Sequence, residues 1–209
     1  MPDSVLSVDF EIVPHLASMG LDKEGLIEVV RFADAERALC TGNDVNGFAA
    51  MTVYDKAARA LRERYCGGGW EKDDTDNQAG IRHPAKKLRI VPCNFDINVG
   101  NRLVQPTNRS PKGEVSRGKA RCNATGWLPG VPDIPPQDRK DYKTWILGIY
   151  AVDAQPLKAE LSFPVEFDGS FYSRFAQRII LLRGDEDDHR PSGRDEGPTD
   201  IVDIAIIRK

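Results

Sequence analysis

Apolar side chains recur every three to four positions in the first third of the chain, the spacing of one face of an α-helix. The first such pattern follows Asp22, a residue type that favours the N-cap of a helix. Its apolar stripe consists of Leu26, Val29, Val30 and Ala33. The pattern predicts a helix that begins directly after Asp22.

A second helical pattern runs from about Val45 to Tyr65 and separates an apolar face from a charged one. The apolar face carries Val45, Phe48, Ala49, Val53, Ala57 and Leu61. Three consecutive glycines at 67–69 follow, and glycine has a high entropic cost inside a helix. The sequence therefore predicts a helical N-terminal part over residues of about 20–67.

From residue 88 onward the apolar period changes from 3.6 to 2, which is typical of β-strands. Residues 91–99 alternate and predict a half-buried strand, whereas residues 144–152 are apolar on both faces and predict a central one. Residues 157–167 alternate again after a short turn at 153–156. The last two runs therefore predict an antiparallel hairpin.

The end of the chain predicts one more helix and one more strand. Asp168 is a candidate N-cap, and Phe171, Phe175, Ile179 and Leu182 follow it at helical spacing. Residues 201–207 predict the final strand. This order favours an α+β fold: a mixed, mostly antiparallel sheet with two N-terminal helices and one C-terminal helix packed on it. The length fits a single domain over residues 1–209, sheet-rich from about 86 to 209.

The sequence lacks the signals that mark several classes of protein. No apolar run approaches the roughly 18 residues of a membrane span, and the N-terminus lacks the pattern of a signal peptide. We therefore predict a cytoplasmic protein with no membrane contact. The four cysteines and three histidines are scattered, so we predict neither a metal site nor a cofactor. The motifs of P-loop, dinucleotide-binding, serine-hydrolase and zinc-protease sites are missing.

Charge is distributed unevenly along the chain. Residues 82–121 hold ten basic residues and only two acidic ones, a net charge of about +8. The whole chain carries −3, so the remainder is strongly acidic, in part through residues 185–200. Such asymmetry is typical of a protein that meets a polyanion with one face.

The leading hypothesis is therefore a nucleic-acid-binding domain, a subunit of a larger assembly, that contacts the phosphate backbone of DNA or RNA through residues 82–121. Trp127 lies in a predicted loop, where its ring could stack on a base. The predicted nucleic-acid-binding residues are Lys86, Lys87, Arg89, Arg102, Arg109, Lys112, Arg117, Lys119, Arg121 and Trp127.

A divergent metal-dependent nuclease is the first alternative. The predicted order of elements loosely resembles the core of restriction-endonuclease-like nucleases, which implies acidic residues on a β-hairpin that bind Mg²⁺. The candidate carboxylates are Asp141, Asp153, Glu160 and Glu166. The lysine that such sites place two positions after the acid is missing, since Ser162 and Asp168 stand there.

A protein-interaction subunit without enzymatic activity is the second alternative. In it, the acidic residues of 185–200 would dock a basic protein partner. The basic residues of 82–121 could also pair with this acidic segment inside one molecule. The binding hypotheses and the enzymatic one therefore stay open at the level of the sequence.

Overall fold

The structure is a computed structural model that describes residues 4–125 and 142–184. Within these ranges the helices are α1 (Asp9–Met19), α2 (Lys23–Ala38), α3 (Phe48–Tyr65) and α4 (Glu114–Thr125). The strands are β1 (Ser4–Leu6), β2 (Glu71–Asp73), β3 (Gly80–His83), β4 (Leu88–Asn94), β5 (Lys143–Tyr150), β6 (Lys158–Asp168) and β7 (Phe171–Leu182).

The described strands form one seven-stranded sheet in the order β1-β7-β6-β5-β4-β3-β2. Strand β1 is parallel to β7 and β4 is parallel to β5, whereas the other neighbouring pairs are antiparallel. The predicted α+β class with a mixed, mostly antiparallel sheet is confirmed. The predicted hairpin is also confirmed as β5 and β6.

The N-terminal part contains three helices rather than the predicted two. Helix α2 begins as expected, because the Asp22 carboxylate accepts a hydrogen bond of 2.6 Å from the backbone N–H of Gly25. Helix α1 escaped prediction because Pro14 lies inside it, and because Phe10 and Val13 on its surface are exposed and blur the apolar stripe. All three helices share a hydrophobic core with the sheet.

The predicted C-terminal helix is wrong, because residues 171–182 form strand β7. Its apolar residues fit a helical stripe only by coincidence of spacing. Residues 178–182 are all buried, since β7 is covered on both faces over this stretch. A strand buried on both faces shows no period of 2, so its pattern does not distinguish it from a helix.

Other boundaries also differ from the sequence prediction. Strand β4 ends at Asn94 instead of continuing to Val99, and residues 95–113 form a connection to α4. Helix α4 and the short strands β1, β2 and β3 were missed because their apolar patterns are weak. The final strand predicted at 201–207 lies outside the described residues.

The connection between β4 and α4 packs across the second face of the sheet. The Phe95 ring lies against Gly148 of β5, so closely that a Cβ atom there would come within 2.5 Å of it. Asn108 accepts a hydrogen bond from the Tyr172 N–H and donates one to the carbonyl of Ser170. Both faces of the middle strands are therefore covered, and polar side chains on these strands are buried as a result.

Candidate anion-binding pocket

Each candidate catalytic carboxylate in the described chain is bound by an arginine. Asp153 pairs with Arg37 of α2. Glu166 pairs across the β6–β7 hairpin with Arg174, at 3.0 Å between carboxylate and guanidinium. These two carboxylates therefore lie in different parts of the fold and have different partners. Asp141 lies outside the described residues.

Glu160 is fully buried. Its carboxylate accepts hydrogen bonds from Ser162 Oγ at 2.5 Å, from the Gly100 N–H at 2.9 Å and from two nitrogens of Arg178 at 2.6 and 2.8 Å. The acceptor sites of this carboxylate are thus filled by protein donors. In the described ranges no group of three or more His, Cys, Asp or Glu residues is placed to hold a metal ion.

Some of the basic residues predicted to bind in 82–121 are paired with carboxylates. Arg89 is buried and forms an ion pair with Asp73 of β2. On α4, Arg117 and Arg121 lie 2.9 and 3.6 Å from the carboxylate of Glu114. Ion pairs of this kind reduce the positive potential that a polyanion would meet.

Lys119 is also withdrawn from the surface, with 10% of its side chain exposed. Its ammonium donates a hydrogen bond of 2.6 Å to Gln78 Oε1. Burial, together with the nearby charge of Arg89, lowers the pKa of Lys119 to about 8. This lysine therefore contributes little to a surface patch.

Two other cations of residues 82–121 contact neutral groups. Lys86 donates to the carbonyl of Ser18 at 2.9 Å, and the ammonium of Lys87 lies 5.2 Å from the centre of the Tyr142 ring. Both lie at the turn before β4, at the opposite end of that strand from the connection that follows it.

The remaining predicted binding residues fall into three groups. The charge of Lys112 lies close to the buried thiol of Cys93. Arg102 and Arg109 are exposed, and neither forms a side-chain hydrogen bond or ion pair with another described residue. Trp127 lies outside the described residues.

A pocket of about 660 Å³ collects three cations that the sequence keeps far apart: Arg102, Lys158 and Arg183. No acidic residue is among the described residues that line it. Neither Lys158 nor Arg183 is neutralised by a carboxylate of the described chain: Lys158 Nζ donates to the carbonyl of Ile97 and Arg183 Nη2 to that of Ser7. Among the described residues, the pocket therefore holds positive charge that no carboxylate offsets, in a concave surface.

The β6–β7 hairpin brings two of these cations together. Lys158 is the first residue of β6, and Arg183 follows the last residue of β7. Their neighbours Ala159 and Leu182 are paired across the two strands. The open end of the hairpin thus places the two basic side chains next to each other.

The third cation, Arg102, lies on a loop that two buried charges hold in place. Glu160 accepts from the Gly100 N–H, and Arg178 donates to the carbonyl of Val104 at 3.1 Å. Within the loop, the side-chain oxygen of Asn101 accepts from the backbone N–H of Leu103 at 2.8 Å. These bonds fix the loop backbone on both sides of Arg102.

Sequence reasoning missed Lys158 and Arg183 because both lie outside residues 82–121. The signal that could have found them is the second hairpin. If residues 171–182 are read as a strand, antiparallel pairing with β6 puts the two cations at one edge.

No family model, curated protein or solved structure matches this chain. Among the helices of the described ranges, none combines the length and the apolar character needed to cross a membrane.

Proposed function

We propose that this chain binds nucleic acid and that Arg102, Lys158 and Arg183 hold its phosphate groups. The observation that carries this proposal is the convergence of three cations in one pocket whose described lining contains no carboxylate. Phosphate oxygens are strong acceptors, and arginine can donate two parallel hydrogen bonds to them.

An apolar surface beside the pocket favours a polynucleotide over a simple anion. Leu103 lines the pocket with 94% of its surface exposed, and the neighbouring Val104 is also exposed. Large apolar side chains exposed next to a charged site indicate a ligand with an apolar part. A nucleotide with an unpaired base offers a phosphate and an apolar ring face together. A single strand therefore suits this surface better than a duplex.

Most of the basic residues that the sequence predicted for phosphate contact are not in the pocket. Arg89, Arg117, Lys119 and Arg121 already have partners within the fold. Arg102 belongs both to the predicted basic segment and to the pocket, and it has no described side-chain partner. It is therefore the residue whose replacement tests the proposal with the least effect on folding.

The test is the binding of fluorescent single-stranded DNA and RNA, followed by fluorescence anisotropy at about 50 mM salt, where phosphate contacts are strong. We expect the wild-type chain to bind and Arg102→Glu to weaken binding. Arg59→Glu is the matched control, since Arg59 is exposed on α3, where it pairs with Glu63 and lies over the Phe32 ring, and is not among the residues that line the pocket.

Two results would contradict the proposal. One is that the wild-type chain binds neither single-stranded DNA nor single-stranded RNA. The other is binding to vesicles of anionic lipid with no binding to nucleic acid, because that result would assign the same cations and Leu103 to a membrane surface.

A further inference from the structure

We infer that the pocket receives the end of a nucleic acid strand, as a terminal phosphate monoester, rather than a phosphate within the strand. The inference rests on the proposed function and adds the chemical class of its ligand. It follows from the charge of the pocket, from its size and from the positions of the other cations.

The charge of the pocket suits a monoester. A phosphodiester within a strand carries one negative charge, whereas a phosphate monoester carries about −1.5 to −2 at pH 7. Arg102, Lys158 and Arg183 bring three positive charges, and no described lining residue offsets them. Lys158 and Arg183 each give a hydrogen bond to a backbone carbonyl, which leaves further N–H groups of both side chains for a ligand.

The pocket is large enough for one terminal nucleotide. Its volume of about 660 Å³ lies in the range of about 300–1,000 Å³ that is usual for sites of small ligands. Val5 and Val99 form part of its lining and offer no donor side chain to a phosphate. The Val99 side chain is fully buried, so the half-buried Val5 and the exposed Leu103 are the apolar lining residues that can contact the sugar or the base of a terminal nucleotide.

The cations outside the pocket do not continue it as a stripe. A strand that crosses a protein surface needs a series of basic residues along its path. Arg89 is neutralised by Asp73, and Arg117 and Arg121 share the single carboxylate of Glu114.

Lys87 lies at the far end of β4 from the loop that carries Arg102. Arg109 and Lys112 lie beside Ser170 at the closed end of the β6–β7 hairpin, whereas the pocket lies at its open end. Among the described residues these cations are therefore separated from the pocket, as expected for a site that binds an end.

The experiment compares one single-stranded sequence in four forms: with a 5′-phosphate, with a 3′-phosphate, with neither, and closed into a circle. We expect one phosphorylated form to bind at least about tenfold more tightly than the form without a terminal phosphate, the effect of one charge-assisted hydrogen bond. The circle should compete no better than the unphosphorylated strand. Arg102→Glu should remove the difference between the forms, and Arg59→Glu should keep it.

Three other results would contradict either the binding of strand ends or the proposed function. Equal binding of all four forms would overturn the inference about ends and leave the proposed function in place. A mononucleotide that competes as well as the phosphorylated strand would also overturn it, because the ligand would then be a free nucleotide. Binding of none of the four forms would remove the proposed function itself.

Discussion

Glu160 of β6 and Arg178 of β7 form a fully buried ion pair, with 2.6 Å between the carboxylate oxygen and the guanidinium nitrogen. The same two side chains reach the backbone of the loop that carries Arg102, at Gly100 and Val104. This pair therefore links the interior of the sheet to the candidate pocket. Changes to it should affect both stability and binding.

Glu160→Ala should lower the free energy of unfolding by about 3–5 kcal/mol, because it leaves the Arg178 charge buried without a partner. The double variant Glu160→Ala/Arg178→Ala should lose less than the single variants Glu160→Ala and Arg178→Ala together, since neither charge then remains. Urea denaturation measures all three. Strictly additive losses would show that the two side chains do not act as a pair.

Gly80→Ala should destabilise the chain by about 1–3 kcal/mol, the usual cost of forcing atoms into a packed site. A Cβ atom at Gly80 would come within 2.1 Å of the carbonyl oxygen of Ile90 on the neighbouring strand. Gly118 is the control: it lies inside α4 with no atom within 4 Å of such a Cβ. Gly118→Ala should raise stability by about 0.5–1 kcal/mol. Equal effects in thermal melts would contradict the packing of β3 on β4.

Lys119 should titrate near pH 8 in the folded protein, because burial and Arg89 lower its pKa from 10.5. Between these two pH values the folded chain binds fewer protons than the unfolded chain. Stability should therefore rise as the pH increases from about 8 to 10.5. NMR titration of the lysine side chains measures the pKa, and Lys119→Met should abolish both the signal and the rise. A Lys119 that titrates with the exposed lysines would contradict the burial.

The sequence patterns that predicted the fold correctly belong to elements with one wet face or a clear cap. Helix α2 has its N-cap at Asp22, and the β5–β6 hairpin has a short turn between two strands. Strand β7 was mistaken for a helix because its second half is buried on both faces, which removes the alternation that marks a strand.

The site was harder to predict than the fold, because net charge along the sequence does not show which charges are paired. Asp73 neutralises Arg89 because β2, β3 and β4 pair side by side. Asp73 lies outside residues 82–121, so the charge count of that segment does not include it. Lys158 and Arg183 come together only through the register of β6 and β7. A pocket assembled by sheet register is visible only once the strands are assigned.

The salt dependence of binding tests most directly whether the cations of the pocket contact phosphate. Each phosphate contact with a single strand contributes about −0.7 to the slope of log affinity against log salt, so three contacts give a slope of about −2. The variant with Arg102, Lys158 and Arg183 all changed to glutamine should bind weakly, with a slope near zero. Arg117→Gln/Arg121→Gln should keep the wild-type slope. A wild-type slope that survives in the triple variant but falls in the α4 variant would contradict the account and place the contact on α4.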